Sequence, residues 1–291
     1  MFSRYPSNEE CRRLLEKALW PNGPICPFCS HDKIYRFRNG RTFKCSSCKR
    51  NFGVTKGTVF EGTKLPLGKW FKAIHRFSSD KKGTASHGMA RHLGITQPNA
   101  WYMLHKIRKM MCNHPDFHRK LSGTIEVDES YVGGKNKNRH YNKRYKGNQG
   151  RSLQDKALAW ALVERGTGTV LPIGIKRLHG KGMRLLIKNK VTAGSKVMTD
   201  EFCAYQGLDK YFDHGVVNHG AHQYCNGDAT TNTVEGFWSW LKRSIVGIYH
   251  GVRRHWFFRY LMENAFRYNT RNLTDSDRFG QLLTLSKKAN V

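Results

Sequence analysis

Three carboxylates beyond residue 120 stand where acids are out of place. Asp128 lies inside the run TIEVDESYV (124–132), Asp200 ends the run SKVMTD (195–200), and Glu235 stands near the start of NTVEGFWSWLKRSIVGIY (232–249). An acid inside an apolar run is costly unless something cationic meets it. Three acids that converge would offer hard oxygens to two divalent cations about 3.5–4 Å apart, one activating an attacking oxygen and the other stabilising a leaving one. In-line displacement at a phosphodiester is the reaction such a site serves. Taken singly, each acid has a plainer reading: Asn232 and Glu235 have the spacing of a near capping box, and the strand around Asp128 fits a sheet edge with a solvated acidic face.

A second set of residues suited to chemistry is cysteine. Cys26-Pro-Phe-Cys29 and Cys45-Ser-Ser-Cys48 are two knuckles separated by KIYRFRNGRTFK and its neighbours. Each places two thiolates on one edge of a tetrahedron, and a hairpin between them brings all four onto one Zn²⁺. Four thiolates leave no open position for water, so that zinc is structural. Asn39-Gly40 signals a type I′ turn between two short strands. The other four cysteines are isolated and read as ordinary reduced thiols.

The elements that must position these groups follow from periodicity. Leu14, Leu15, Ala18 and Leu19 share one face of a first helix, and residues 67–77, 84–93 and 98–111 read as three more. Gly94-Ile95-Thr96 between the last two gives the spacing of a helix-turn-helix, whose later helix would present Gln97, Asn99 and Lys106 to bases or phosphates. Residues 113–120 read as linker. Beyond them come a strand at 124–132, in which Glu126 and Asp128 share a face, and a basic arm with seven Lys or Arg from Lys135 to Arg151. A strand pair at 158–163 and 170–175 turns at 165–168, and a helix covers 181–190. A strand ending at Asp200, a brief turn, a strand at 215–218, the Glu235 helix and a last helix at 254–268 complete the pattern. Three strands, a helix, a strand, a short helix, a strand and a long helix is the order of a ribonuclease H-like domain: a mixed five-stranded sheet with flanking helices. In that order the first and fourth strands are central neighbours, so acids 72 residues apart meet at one edge.

The totals agree with a polyanionic partner. Fifty-one Lys and Arg against 21 Asp and Glu leave a formal charge of +30 over 291 residues, spread along the chain. No apolar run approaches the length of a membrane span, and the N-terminus lacks the apolar region of a secretory signal. Nucleic acid in a reducing compartment is the expectation, with no membrane.

With Asp128 in IEVDESYVGGK, Asp200 in VMTDEF, Glu235 in TNTVEGFWSWLKR and a C-terminal RYLMENAFRYNTR, the chain resembles the bacterial insertion-sequence transposases whose ISXO-type DDE domain follows a transposase zinc ribbon. The resemblance runs from Cys26 to about Arg271. It implies that Asp128, Asp200 and Glu235 bind two Mg²⁺ or Mn²⁺, and that Lys242, with Arg243 beside it and Asn232 before the acid, contacts DNA. Glu126 and Glu129 flank Asp128, and the motif VDES favours Asp128 as the ligand. The implied organisation is an N-terminal helix (1–20), a zinc ribbon (21–55), a helix-turn-helix (56–120) and a ribonuclease H-like α/β catalytic domain (121–291). The implied partners are double-stranded DNA, as terminal inverted repeats and target, and a second copy of the chain when two ends are paired, in a bacterial, cytoplasmic and nucleoid-associated setting. A DNA-binding derivative without catalysis and a nuclease or resolvase on the same fold are the other classes. His219 and His222, before the Glu235 helix, leave their relation to the metals open.

Overall fold

The structure, a computed structural model, describes residues 7–287 apart from 135, 147–151, 155, 176, 178, 222–224 and 226. The chain forms two compact units, one of residues 1–113 with 272–291 and the other of residues 114–271.

In the first unit, helix α1 (Asn8–Leu19) opens with a complete capping box between Ser7 and Glu10 and buries Cys11, Leu15 and Leu19. Strands β1 (Ile34–Arg36), β2 (Phe43–Cys45) and β3 (Asn51–Phe52) form an antiparallel meander, its third strand absent from the expectation. Phe43 stacks on Phe52, and Trp20 meets both edge-on. The turn is not type I′. Gly40 alone of the central pair takes a left-handed φ, of 65°, and the Asn39 side chain accepts hydrogen bonds from the N–H groups of Arg41 and Thr42.

Helices α2 (Leu67–Ser79), α3 (Ser86–Leu93) and α4 (Gln97–Met111) follow. Gly94 ends α3 in the left-handed region at φ 59°, which a side chain would resist. Helix α3 starts two residues later than expected, because the Thr84 hydroxyl donates to Asp80 instead of entering the helix. The periodicity gave no sign of α8 (Asp275–Thr284), and residues 272–291 were expected to end the catalytic domain. They group instead with the N-terminal helices: Phe279 packs edge-on against Phe71, and Arg278 donates to the Ser78 carbonyl at 2.6 Å.

The second unit is a five-stranded sheet of β4 (Thr124–Gly133), β5 (Lys156–Glu164), β6 (Thr169–Ile173), β7 (Lys196–Asp200) and β8 (Asp213–Val217). Its order is β6-β5-β4-β7-β8, with β4, β5 and β6 antiparallel in turn and β7 and β8 parallel to β4 and to each other. The acid-bearing first strand is therefore central, not an edge. Ile125, Val127, Trp160, Leu162 and Val197 are fully buried. Helix α5 (Gly180–Lys190) packs on the short turn Cys203–Tyr205, while α6 (Asn232–Ser244) and α7 (Arg254–Asn269) lie on β4, β5 and β6. The expected linker is fixed as well. Phe117 is buried, and Arg119 pairs with Glu164 at 2.7 Å.

One contact sets where α6 lies. Glu126 has no exposed surface, and its carboxylate accepts from the N–H groups of Thr233 and Val234 at 2.8 and 3.0 Å, the Thr233 hydroxyl at 2.9 Å and Arg165 Nε at 2.9 Å. A β4 carboxylate thus fills the positive end of α6 and satisfies donors that no residue of the helix could reach. The capping box expected of Asn232 and Glu235 is absent: Thr231 is the N-cap, and its hydroxyl donates to Glu235. Helix α6 ends its α-helical winding at Ser244, and Ile245–Tyr249 continue in a wider π turn. Replacing Glu126 by Ala leaves Arg165 Nε and two helix N–H groups without their acceptor, though Arg165 keeps its bonds to the Asp228 and Thr230 carbonyls, and should cost about 3 kcal/mol. Urea unfolding measures it, and a loss below about 1 kcal/mol would deny Glu126 this role.

Candidate active site

Asp128 and Asp200 are brought level by strand register. The β4–β7 ladder pairs Ile125 with Val197 and Glu126 with Met198, then stops. Continued two residues further, the same register sets Asp128 opposite Asp200, just where pairing ends. Asp200 is the last residue of β7, and the carboxyl ends of parallel strands are where open sheets carry ligand groups, while Asp128 lies mid-strand beside the place where β4 parts from β7. Asp200 is buried and accepts from the Phe202 N–H at 3.1 Å.

Glu235 reaches the same region from α6. The helix is tied to β4 by Glu126 at its first turn and again by Trp238, whose indole N–H donates to Asp128 at 2.9 Å. Trp238 follows Glu235 by three residues, so the bond that orients Asp128 also holds the turn bearing Glu235. Asp128 is only slightly exposed, and its carboxyl is pushed up to about 6, first by burial and then by the charges of Asp200 and Glu235, against the pull of Trp238 and a backbone N–H. Asp200 and Glu235 are therefore both in electrostatic reach of Asp128. The three acids do not form a tight knot: among the described residues, the four ribbon cysteines are the one set of three or more potential ligands lying within 4.8 Å of one another.

The two neighbouring acids have other work. Glu126 caps α6, and Glu129 points to the opposite face, where Tyr205 donates to it at 2.9 Å and itself accepts from Trp160 Nε1. Alternation along β4 could separate Glu129 from Asp128. Nothing in the sequence marked Glu126 as a helix cap, because its partner lies 107 residues away. Lys242 and Arg243 are exposed in the last turn of α6, Lys242 two turns beyond Glu235 on the same side. Asn232 is exposed at the first turn. His222 lies outside the described residues, and His219 begins the short turn His219–Ala221.

In the other unit Asn99 is exposed, Lys106 lies over the Tyr102 ring, and the Gln97 amide donates to the Ser86 hydroxyl at 2.8 Å. Gln97 is thus partly spent on joining α4 to α3. The ribbon cysteines meet as expected, with Cys26 and Cys48 sulfurs 3.6 Å apart and Cys29 and Cys45 likewise. Both knuckles close alike: the N–H groups of Ser30 and Lys49 return to the carbonyls of Cys26 and Cys45, each residue at φ 60°. A backbone N–H from His31 holds the Cys29 thiol down at about 7, close to the thiolate form that zinc takes. The cluster is a structural Zn²⁺ site by its donor set.

Two outcomes follow from these environments. The Asp128 carboxyl has a folded pKa above its unfolded one, so it costs stability that is absent below pH about 4, grows as pH rises, and is complete above pH about 6. Asp128→Asn should therefore stabilise the protein by about 3 kcal/mol at pH 7, in buffer without added divalent cation, and by nothing at pH 4. Denaturant titration at both pH values checks this, and an equal gain at each would contradict it. Cys45→Ser should melt the ribbon while the unfolding transition of residues 114–271 stays in place, as read by hydrogen exchange.

Two families match the chain. Residues 120–269 match the ISXO2-like transposase domain and residues 6–51 the transposase zinc-ribbon domain. A relative from Halobacterium salinarum, described as an uncharacterized protein in transposable element ISH50, is 30% identical over 250 residues, covering 82% of this chain and 83% of its own. A chain of the cryo-EM structure of the simian T-cell lymphotropic virus intasome with PP2A regulatory subunit B56 gamma covers 69% of each chain at 12% identity and a TM-score of 0.30, too loose an overlap to assign a fold. The chain belongs to the insertion-sequence transposases that join a transposase zinc ribbon to an ISXO2-like transposase domain.

Proposed function

We propose that this transposase cuts phosphodiesters at the ends of an insertion element and joins the freed 3′-hydroxyl to target DNA, with Asp128, Asp200 and Glu235 as its catalytic residues. The observation that carries the reading is the state of Asp128, which lies inside the sheet under the charges of two other carboxylates and is held by a tryptophan of the helix that bears the third. A site that concentrates negative charge at the rim of a basic protein fits cations.

The donor set is all carboxylate, which suits Mg²⁺ or Mn²⁺ rather than a soft metal, and a pair of ions fits acids spaced more widely than one ion's shell. When bound, such ions supply an activated oxygen nucleophile and neutralise charge on the phosphate. The chain's own part is placement: register aligns Asp128 with Asp200, Glu126 seats α6, and Trp238 fixes the Asp128 rotamer. Lys242, and Arg243 beside it, would hold the phosphates flanking the cut, with Asn232 at the other end of the helix. No covalent protein–DNA intermediate is required, and no ATP.

The sheet order and helix placement support a ribonuclease H-like reading of the second unit. In the first, α3, the Gly94 turn and α4 support a helix-turn-helix that reads the terminal repeats through Asn99 and Lys106, with the zinc ribbon beside it in sequence. Joining two ends calls for two active sites, hence at least a homodimer on DNA. The protein given Mg²⁺ and a duplex carrying the element's terminal repeat should cut at the repeat end, and Asp200→Ala should lower the rate by roughly a thousandfold, as several kcal/mol of charge stabilisation are lost. Cleavage by Asp200→Ala at the original rate would sink the assignment.

A further inference from the structure

The second unit carries a surface that the three acids do not account for. Two hollows, of about 750 and 790 Å³, share Ala157, Phe257 and Arg254 and so make one trough. It begins at Lys242, in the last turn of α6, and crosses the start of β5 to Arg177 beyond the end of β6. Arg139, Lys156 and Arg254 line the way between, and among the described residues none of those lining it is Asp or Glu.

The trough is not merely cationic. Val246 is 70% exposed and Phe258 is 41% exposed, and both line it. Val246 belongs to the π turn Ile245–Tyr249, the kind of local widening of a helix that gathers at functional places. A Cβ at position 174 would come within 3.3 Å of the Phe258 ring, so glycine there lets that ring lie against the end of β6. Exposed apolar groups interleaved with cations in a concave surface call for a ligand with both characters.

Duplex DNA does not have both. It presents phosphate and sugar and keeps the faces of its bases stacked away, so an apolar floor would gain nothing from it. An unpaired strand presents phosphates along one edge and base faces along the other, which is what a basic groove with apolar platforms binds. We infer that the trough holds a segment of single-stranded nucleic acid, its phosphates along Arg139, Lys156, Arg254 and Arg177 and its bases on Val246 and Phe258. Because the trough starts at Lys242, such a strand would continue from the neighbourhood of the acids. The inference concerns residues outside the catalytic three, so binding can be read with no divalent cation added, and its failure would leave the cleavage reading standing.

The test is fluorescence anisotropy with the full-length zinc-loaded protein, labelled oligo-dT and a labelled duplex of equal length, over a series of salt concentrations. Phe258→Ala and Val246→Glu alter exposed positions and should weaken oligo-dT binding by about tenfold while leaving the duplex unchanged. Arg177→Ala should reduce the salt slope for oligo-dT by about 0.7, the share of one phosphate contact on a single strand. Equal weakening for duplex and single strand, or no weakening in Phe258→Ala and Val246→Glu, would overturn the inference. So would a Val246→Glu protein that binds oligo-dT normally but changes its size in gel filtration, since a second copy of the chain would then be the occupant.

Discussion

The second unit depends on a buried carboxylate that ties a helix to the sheet. Glu126 is buried on the central strand, and the first N–H groups of α6 close on it with Arg165 behind. A helix N-terminus carries partial positive charge and unsatisfied donors, and burying it against an apolar sheet would be unfavourable without an anion. Meeting that need from β4 fixes the height and rotation of α6 together. Glu235 and Lys242 then occupy set positions relative to a strand that lies more than a hundred residues earlier.

The same arrangement keeps Asp128 in an unfavourable state that the fold sustains. Asp128 lies inside the sheet with two like charges near it, and one indole N–H offsets part of that cost. A carboxyl raised to about 6 is poorly suited to stabilising a fold and well suited to taking up a cation. Stability is drawn from elsewhere in the unit: the fully buried Trp160 and Leu162 of β5, and the Glu263–Arg267 pair inside α7.

Charge along the chain and charge at the site have opposite signs. With +30 overall, the protein attracts nucleic acid at long range and without regard to sequence. Asp200 ends β7 and Asp128 lies on β4 just past the last β4–β7 pair, where a phosphate could approach only once cations offset them. Long-range attraction and local refusal together would restrict the reaction to a site loaded with metal, whatever else the DNA touches.

The sequence by itself determined the zinc site, the central place of the acid-bearing strands and which acids to suspect. Spacing decides a knuckle locally, alternation decides a strand, and the order of strands and helices leaves few sheets to build. It was silent or wrong where a partner came from far away. Glu126 read as a rival to Asp128 because its true partners are 107 and 108 residues distant, and Asn232 read as a cap because the anion that replaces it lies on another element. Helix α8 was missed, and residues 272–291 were given to the wrong unit, since only packing against Phe71 and Ser78 shows where that segment belongs. Register, capping across elements and the meeting of three distant charges are properties of the folded chain, because each is a distance between residues that the sequence keeps apart.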